Sequence, residues 1–289
     1  MQGGRFSRGW ALAKQSWAVL KADRSLAIFP VLATVSGCIA MAIFLLPGTL
    51  IAVAQDREWI ALPFLVGGAY AATFMAIYFS VALTGCAVRS LDGADTTVSE
   101  GIRIANSRLG PIAVWALIQT TVGFILSLIR GATRETRNPI VAILGLILSA
   151  LLDIAWAVMT FFVVPVLALE GLGPIKAIKR SAQIVKERWG EGLAGTFSIQ
   201  AIAFLFALPG IALIVLGGFM IGSDSVAGGI ALGVIGAIFV VIPSLIGATL
   251  QTIFRVALYR FATTGQVSGF DQAALEHAFE PRKPGRRGI

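Results

Sequence analysis

A chain of 289 residues that is 57% hydrophobic and 13% charged, with a mean hydropathy of +0.85, is far more apolar than a soluble domain of its size. Its formal charge of +8 comes with no nucleic-acid motif, and with two cysteines and one histidine it lacks the residues for a His-based intramembrane metal site or catalytic triad. What remains is a polytopic membrane protein, whose 32 glycines suit close helix packing in lipid.

Residues 5–24, RFSRGWALAKQSWAVLKADR, place Trp10, Ala13, Trp17 and Leu20 on one helical stripe and Lys14 and Lys21 off it. This predicts a helix lying in the membrane interface, indoles at headgroup depth and lysines toward phosphate. The uncharged run that follows is longer than the hydrophobic core of a signal peptide and is expected to stay as a first span, about 26–54, with a bend or stop at Pro47-Gly48. After the short turn Gln55-Asp56-Arg57-Glu58, a second span returns over about 59–88.

The connection 89–108 predicts a second amphipathic helix, opened by a capping box from Thr97 and Glu100, with Ile102, Ala105 and Leu109 on one face. Span three covers about 110–129, and Arg130, Arg134, Glu135 and Arg137 are read as a polar turn. Asn138-Pro139 has the form of an N-cap and first helical position, opening span four at about 139–169. Next, GPIKAIKRSAQIVKERWGEG predicts the third interface helix, with Ile175, Ile178, Ala182, Val185 and Trp189 on its apolar stripe and Lys176, Lys179, Arg180 and Lys186 opposite. Spans five and six cover about 193–219 and 226–253, the last continuing through Arg255, Tyr259 and Arg260 into the headgroup layer. The expected fold is all-α, a six-span membrane bundle forming one domain over 1–265, followed by a partly disordered basic tail, 266–289.

Three amphipathic segments each precede a pair of spans, and FLLPG (44–48) resembles FALPG (206–210) as FFVVP (161–165) resembles FVVIP (239–243). A threefold unit of interface helix plus hairpin is the expectation. Nineteen of the 23 Lys and Arg residues fall on the side bearing the interface helices and four on the other. That asymmetry predicts a cytoplasmic (inner) membrane protein with both termini cytoplasmic, and anionic headgroups as partners of Trp10, Lys14, Trp17, Lys176, Lys179, Arg180, Lys186 and Trp189. Nucleic acid is excluded as a partner on the same ground, since topology accounts for the charge.

Asp153 lies near the middle of span four, about 15 residues from either end, where an unpaired carboxylate costs several kcal/mol. It should face a polar path or a neighbouring helix, with Gln119, Thr120 and Gln200 as candidate partners; the charge pattern provides no intramembrane Lys or Arg for it. Gly229, Gly233 and Gly236 permit a close helix approach without naming its partner, and Pro165, Pro209 and Pro243 mark bends or broken helices. No P-loop, dinucleotide fingerprint, HExxH or serine elbow is present, and no pattern calls for a cofactor.

With RGWALAKQSWAVLKAD near its start and VALYRFATTG at 256–265, the chain resembles an uncharacterised family of prokaryotic six-span membrane proteins, over most of its length up to about Phe270. The resemblance implies the architecture and carries no activity. The sequence therefore supports a scaffold or accessory protein of the bilayer, with a membrane-protein partner or a second copy as candidate contacts. A solute or lipid permease using Asp153 and a membrane-bound enzyme are the alternatives.

Overall fold

A computed structural model describes residues 5–134, 139–188, 193–222 and 225–265. Among them are ten α-helices: α1 (Arg5–Ala22), α2 (Ile28–Ala54), α3 (Ala61–Leu91), α4 (Val98–Asn106), α5 (Leu109–Arg134), α6 (Pro139–Met159), α7 (Val163–Leu169), α8 (Pro174–Arg188), α9 (Leu193–Gly222) and α10 (Val226–Thr264). Six segments are long and apolar enough to cross a bilayer: Arg24–Ala54, Glu58–Leu91, Leu109–Ala132, Ile143–Leu169, Ile199–Gly222 and Val226–Thr264. The protein is thus an all-α, six-span membrane protein with three further helices, α1, α4 and α8. An even number of spans leaves the segments before the first and after the last on one side. The basic tail and its short helical pattern, 266–289, lie outside the described residues.

The chain divides into two compact units, Met1–Ile28 with Ala87–Thr96 and Arg188–Ile289, and Phe29–Cys86 with Thr97–Glu187. In the first, α9 and α10 form an antiparallel hairpin built on glycines. A Cβ on Gly210 would come within 2.6 Å of the Gly236 carbonyl, and one on Gly217 within 2.6 Å of the Gly229 carbonyl. The glycines at 229 and 236 therefore have their partner, α9, and the backbones approach as closely as bare Cα atoms allow. Pro209 and Pro243 lie inside these helices without ending them. At 39 residues, α10 is roughly 58 Å long against about 30 Å of hydrocarbon. Its fully buried residues Ile253, Phe254, Val256, Ala257 and Leu258 lie near its C-terminal end, where Arg260 donates to Asp92 at 2.5 Å. Gly265, in the left-handed region at φ 74°, caps the helix through its N–H to the Phe261 carbonyl.

In the second unit, Pro47 does not end its helix, which runs on to Ala54; Gly48 instead receives the Phe64 ring. The capping box at α4 forms as the sequence indicates, Thr97 Oγ1 accepting from Glu100 N at 3.3 Å and Glu100 Oε2 from Thr97 N at 3.4 Å. Span four departs from expectation: it is two helices, α6 and α7, separated at Thr160–Phe162. In a continuous helix Pro165 would have no N–H for the Phe161 carbonyl and its ring would strike that carbonyl. Here it occupies the first turn of α7, where the missing donor is no loss. The Phe162 N–H freed by the break donates to Ser181 Oγ of α8 at 3.0 Å, both residues fully buried. Left unpaired, a buried amide costs about 1–3 kcal/mol, so α8 makes the break tolerable where Pro209 and Pro243 produced none.

The packed face of α8 is also not the expected one. Pro174, Ala177, Ser181 and Ile184 are buried, while Ile175 is 65% exposed and Ile178, Ala182 and Val185 are half-buried. In α4 the buried positions are Gly101 and Ala105, Leu109 beyond it being exposed, and in α1 they are Ala13, Ser16 and Leu20. Small residues recur on the buried sides of the three helices, joined there by Leu20 and Ile184, while the large apolar side chains of Trp17 and Ile175 are exposed.

Candidate functional site

Among the described residues, three arrangements are the foremost candidates, and each lies within one unit. The first surrounds Asp153 in the second unit. Arg130 Nη1 donates to its carboxylate at 2.7 Å, with the two side chains about 40% exposed. The expectation that no basic residue could pair with Asp153 is corrected: α5 remains helical to Arg134, so Arg130 belongs to the helix rather than to a turn. Gln119 is also engaged, its Oε1 accepting from Trp156 Nε1 at 2.8 Å, and Trp156 stacks on Trp115 at 6.0 Å. Thr120 Oγ1 is buried without a hydrogen-bond partner. Gln200, the fourth candidate, belongs to the first unit and lines a groove there with Ser244 and Gln251. Asp153 and Gln119 each bond a neighbour other than the partners the sequence suggests.

The second arrangement escaped the sequence reading. Asp23, 7% exposed, accepts four hydrogen bonds, from Ser25 N (3.0 Å) and Ser25 Oγ (2.6 Å) on Oδ1 and from Thr96 N (3.2 Å) and Thr96 Oγ1 (2.5 Å) on Oδ2. It caps the short 3-10 turn Arg24–Ala27 and ties it to the residues just before α4. The signal was present in Asp23-Arg24-Ser25, an acid followed two residues on by a serine ahead of an apolar run, which is an N-cap pattern.

The third is an apolar groove of about 420 Å³ in the first unit, formed by α9 and α10 with α1 across it. Among the described residues, Lys14 is the one charged residue lining it, beside Trp17. The Lys21 ammonium sits 5.9 Å from the Trp17 ring centroid, a cation–π contact. Of the other interface residues, Lys176, Lys179 and Lys186 are exposed, and Arg180 pairs with Glu170 at 3.2 Å. The Trp10 side chain and all of Trp189 lie outside the described residues.

The model of a family of unknown function (DUF6159) matches residues 60–270. The chain belongs to that family. No curated protein and no solved structure matches it. The DUF6159 match begins at Ile60, so the Trp-rich opening segment lies ahead of it, while VALYRFATTG lies inside. Within this DUF6159 member, no three His, Cys, Asp or Glu side chains gather closely enough to hold a metal among the described residues.

Proposed function

We propose that this DUF6159 member is a non-enzymatic scaffold or accessory component of the cytoplasmic membrane, whose amphipathic helices grip the cytoplasmic leaflet. The observation that carries the reading is the engagement of the intramembrane acid: Asp153 is held at 2.7 Å by a cation on the adjacent helix. A carboxylate so paired locks α5 to α6, and the Gln119–Trp156 bond adds a second polar clasp between the same helices. The charge asymmetry supports the orientation, with both termini and the loop around Lys179 in the cytoplasm. A threefold unit is part of the same reading, supported by the paired small residues on each packed face: Ala13 and Ser16, Gly101 and Ala105, Ala177 and Ser181.

A permease is the second reading, favoured by the 40% exposure of the Asp153 side chain, which leaves the pair reachable. Proteoliposomes holding wild type, Asp153→Asn and Asp153→Leu separate the two. The scaffold reading expects the same background proton leak in all three. A pH-dependent flux carried by the wild type and lost in both variants would overturn it. So would a reporter fused beside Lys179 that reads the outside of the cell, which removes the leaflet contact.

A further inference from the structure

We infer that the groove beneath α1 is a lipid site, taking one acyl chain of an anionic phospholipid between α9 and α10 with its headgroup on Lys14. It rests on the reading of α1 as a cytoplasmic interface helix. The walls are matched stripes, from Ile199 to Phe206 on α9 and from Pro243 to Leu250 on α10, each about two turns or 10 Å long. Its volume of about 420 Å³ falls at the small end of ligand pockets, roughly 300–1,000 Å³. Walls of this kind offer water too few polar partners to hold it, whereas a hydrocarbon chain gains dispersion contacts along their length.

Position and charge select the occupant. Ile199 lies near the start of α9, and Leu250 lies on the returning half of α10, so the groove opens in the leaflet next to α1. Lys14 is exposed and Trp17 is 38% exposed, which puts a cation and an amphipathic ring at the mouth of an apolar slot. That is the polarity of an anionic phospholipid, negative at the head and apolar below. The neighbouring face of the same two helices carries Gln200, Ser244 and Gln251 among its apolar residues, so among the described residues the groove beneath α1 is the more apolar of the two.

The test uses the full chain in nanodiscs of phosphatidylglycerol and phosphatidylethanolamine with identical acyl chains, released into native mass spectrometry. Wild type is expected to retain one phosphatidylglycerol. Lys14→Glu, on an exposed residue, exchanges an attraction for a repulsion and should lower the retained phosphatidylglycerol-to-phosphatidylethanolamine ratio about tenfold. Ile202→Trp fills the groove and should strip both lipids, while Lys179→Glu on α8, which does not line the groove, should lower the ratio far less than Lys14→Glu. An unchanged ratio in Lys14→Glu, lipid still held by Ile202→Trp, or a copurifying polypeptide in place of lipid overturns the site. A fall in the ratio in Lys179→Glu equal to that in Lys14→Glu overturns the site but spares the proposed function, because it signifies general leaflet attraction. Loss of the scaffold reading by proton flux leaves these lipid ratios untouched.

Discussion

Gly210→Leu is expected to destabilise the protein by about 3 kcal/mol or more, at or above the upper end of ordinary overpacking. The reason is what the new side chain would meet. A Cβ at this position lies 2.6 Å from the Gly236 carbonyl and 2.9 Å from Phe239 and Val240 side-chain atoms. Side chains can rotate away, but the carbonyl is fixed by its helix, so α9 and α10 must separate along their length. Gly236→Leu should do the same, its Cβ falling 2.7 Å from the Gly210 carbonyl. Separation forfeits the close backbone contact on which helix association in lipid depends. Gly218→Ala and Gly233→Ala are the controls, since a methyl at either finds no neighbour within 4 Å. Their effect should stay within the helix-propensity gain of Ala over Gly, up to about 1 kcal/mol. Thermal unfolding of the purified chain in one detergent measures all four, and a Gly210→Leu melt overlying that of Gly218→Ala would refute the contact.

The contrast between these glycines was not visible in the sequence, and the reason applies to the whole fold. Hydropathy located the six spans, because an uncharged run long enough to cross hydrocarbon has few other uses. Thr97 with Glu100 gave the start of α4, because a capping box is satisfied by residues three apart and needs no tertiary information. The packed faces were not legible by the same rule. In water, the large apolar side of an amphipathic helix turns toward the protein; next to lipid, it has an equally apolar alternative. What then distinguishes the protein-facing side is close approach, which favours Gly, Ala and Ser. Ile175, Ile178 and Val185 defined the stripe of α8 to the eye, yet the buried positions are Pro174, Ala177, Ser181 and Ile184. On α1, Trp17 is partly exposed beside a fully buried Ser16. The break before Pro165 was foreshadowed by the proline, but Pro209 and Pro243 carry the same local signal within unbroken helices. The difference is supplied by Ser181, 19 residues further on.

The acids divide along similar lines. Asp153 stood out because it interrupts an apolar run, and its partner was missed only by ending span three too early: Arg130 is one residue past the assumed boundary. Asp23 drew no attention because it sits among Lys21, Arg24 and other polar residues, where a carboxylate ordinarily meets water. Its burial depends on Thr96, which lies 73 positions away in sequence.

Replacing Asp23 should therefore cost more than replacing the conspicuous acid. Each of its carboxylate oxygens takes two donors, an amide and a hydroxyl, from Ser25 on one side and Thr96 on the other. Asp23→Ala removes an N-cap, usually worth about 1 kcal/mol, and leaves buried donors without acceptors at about 1–3 kcal/mol for a lost partner. Together these predict a loss of about 3 kcal/mol in detergent unfolding. Asp23→Asn keeps the shape and one acceptor oxygen, but its amide nitrogen would face a donor pair with two hydrogens of its own. It should fall between wild type and Asp23→Ala. Thr96→Val distinguishes a fourfold knot from a simple cap. It deletes the short hydroxyl bond while leaving the Ser25 side intact, so it should weaken wild type clearly but add little to Asp23→Ala, the pair being coupled. If Thr96→Val instead added its full effect to Asp23→Ala, the carboxylate would be only a local cap, and the tie between the Arg24–Ala27 turn and Thr96 would have to come from other contacts.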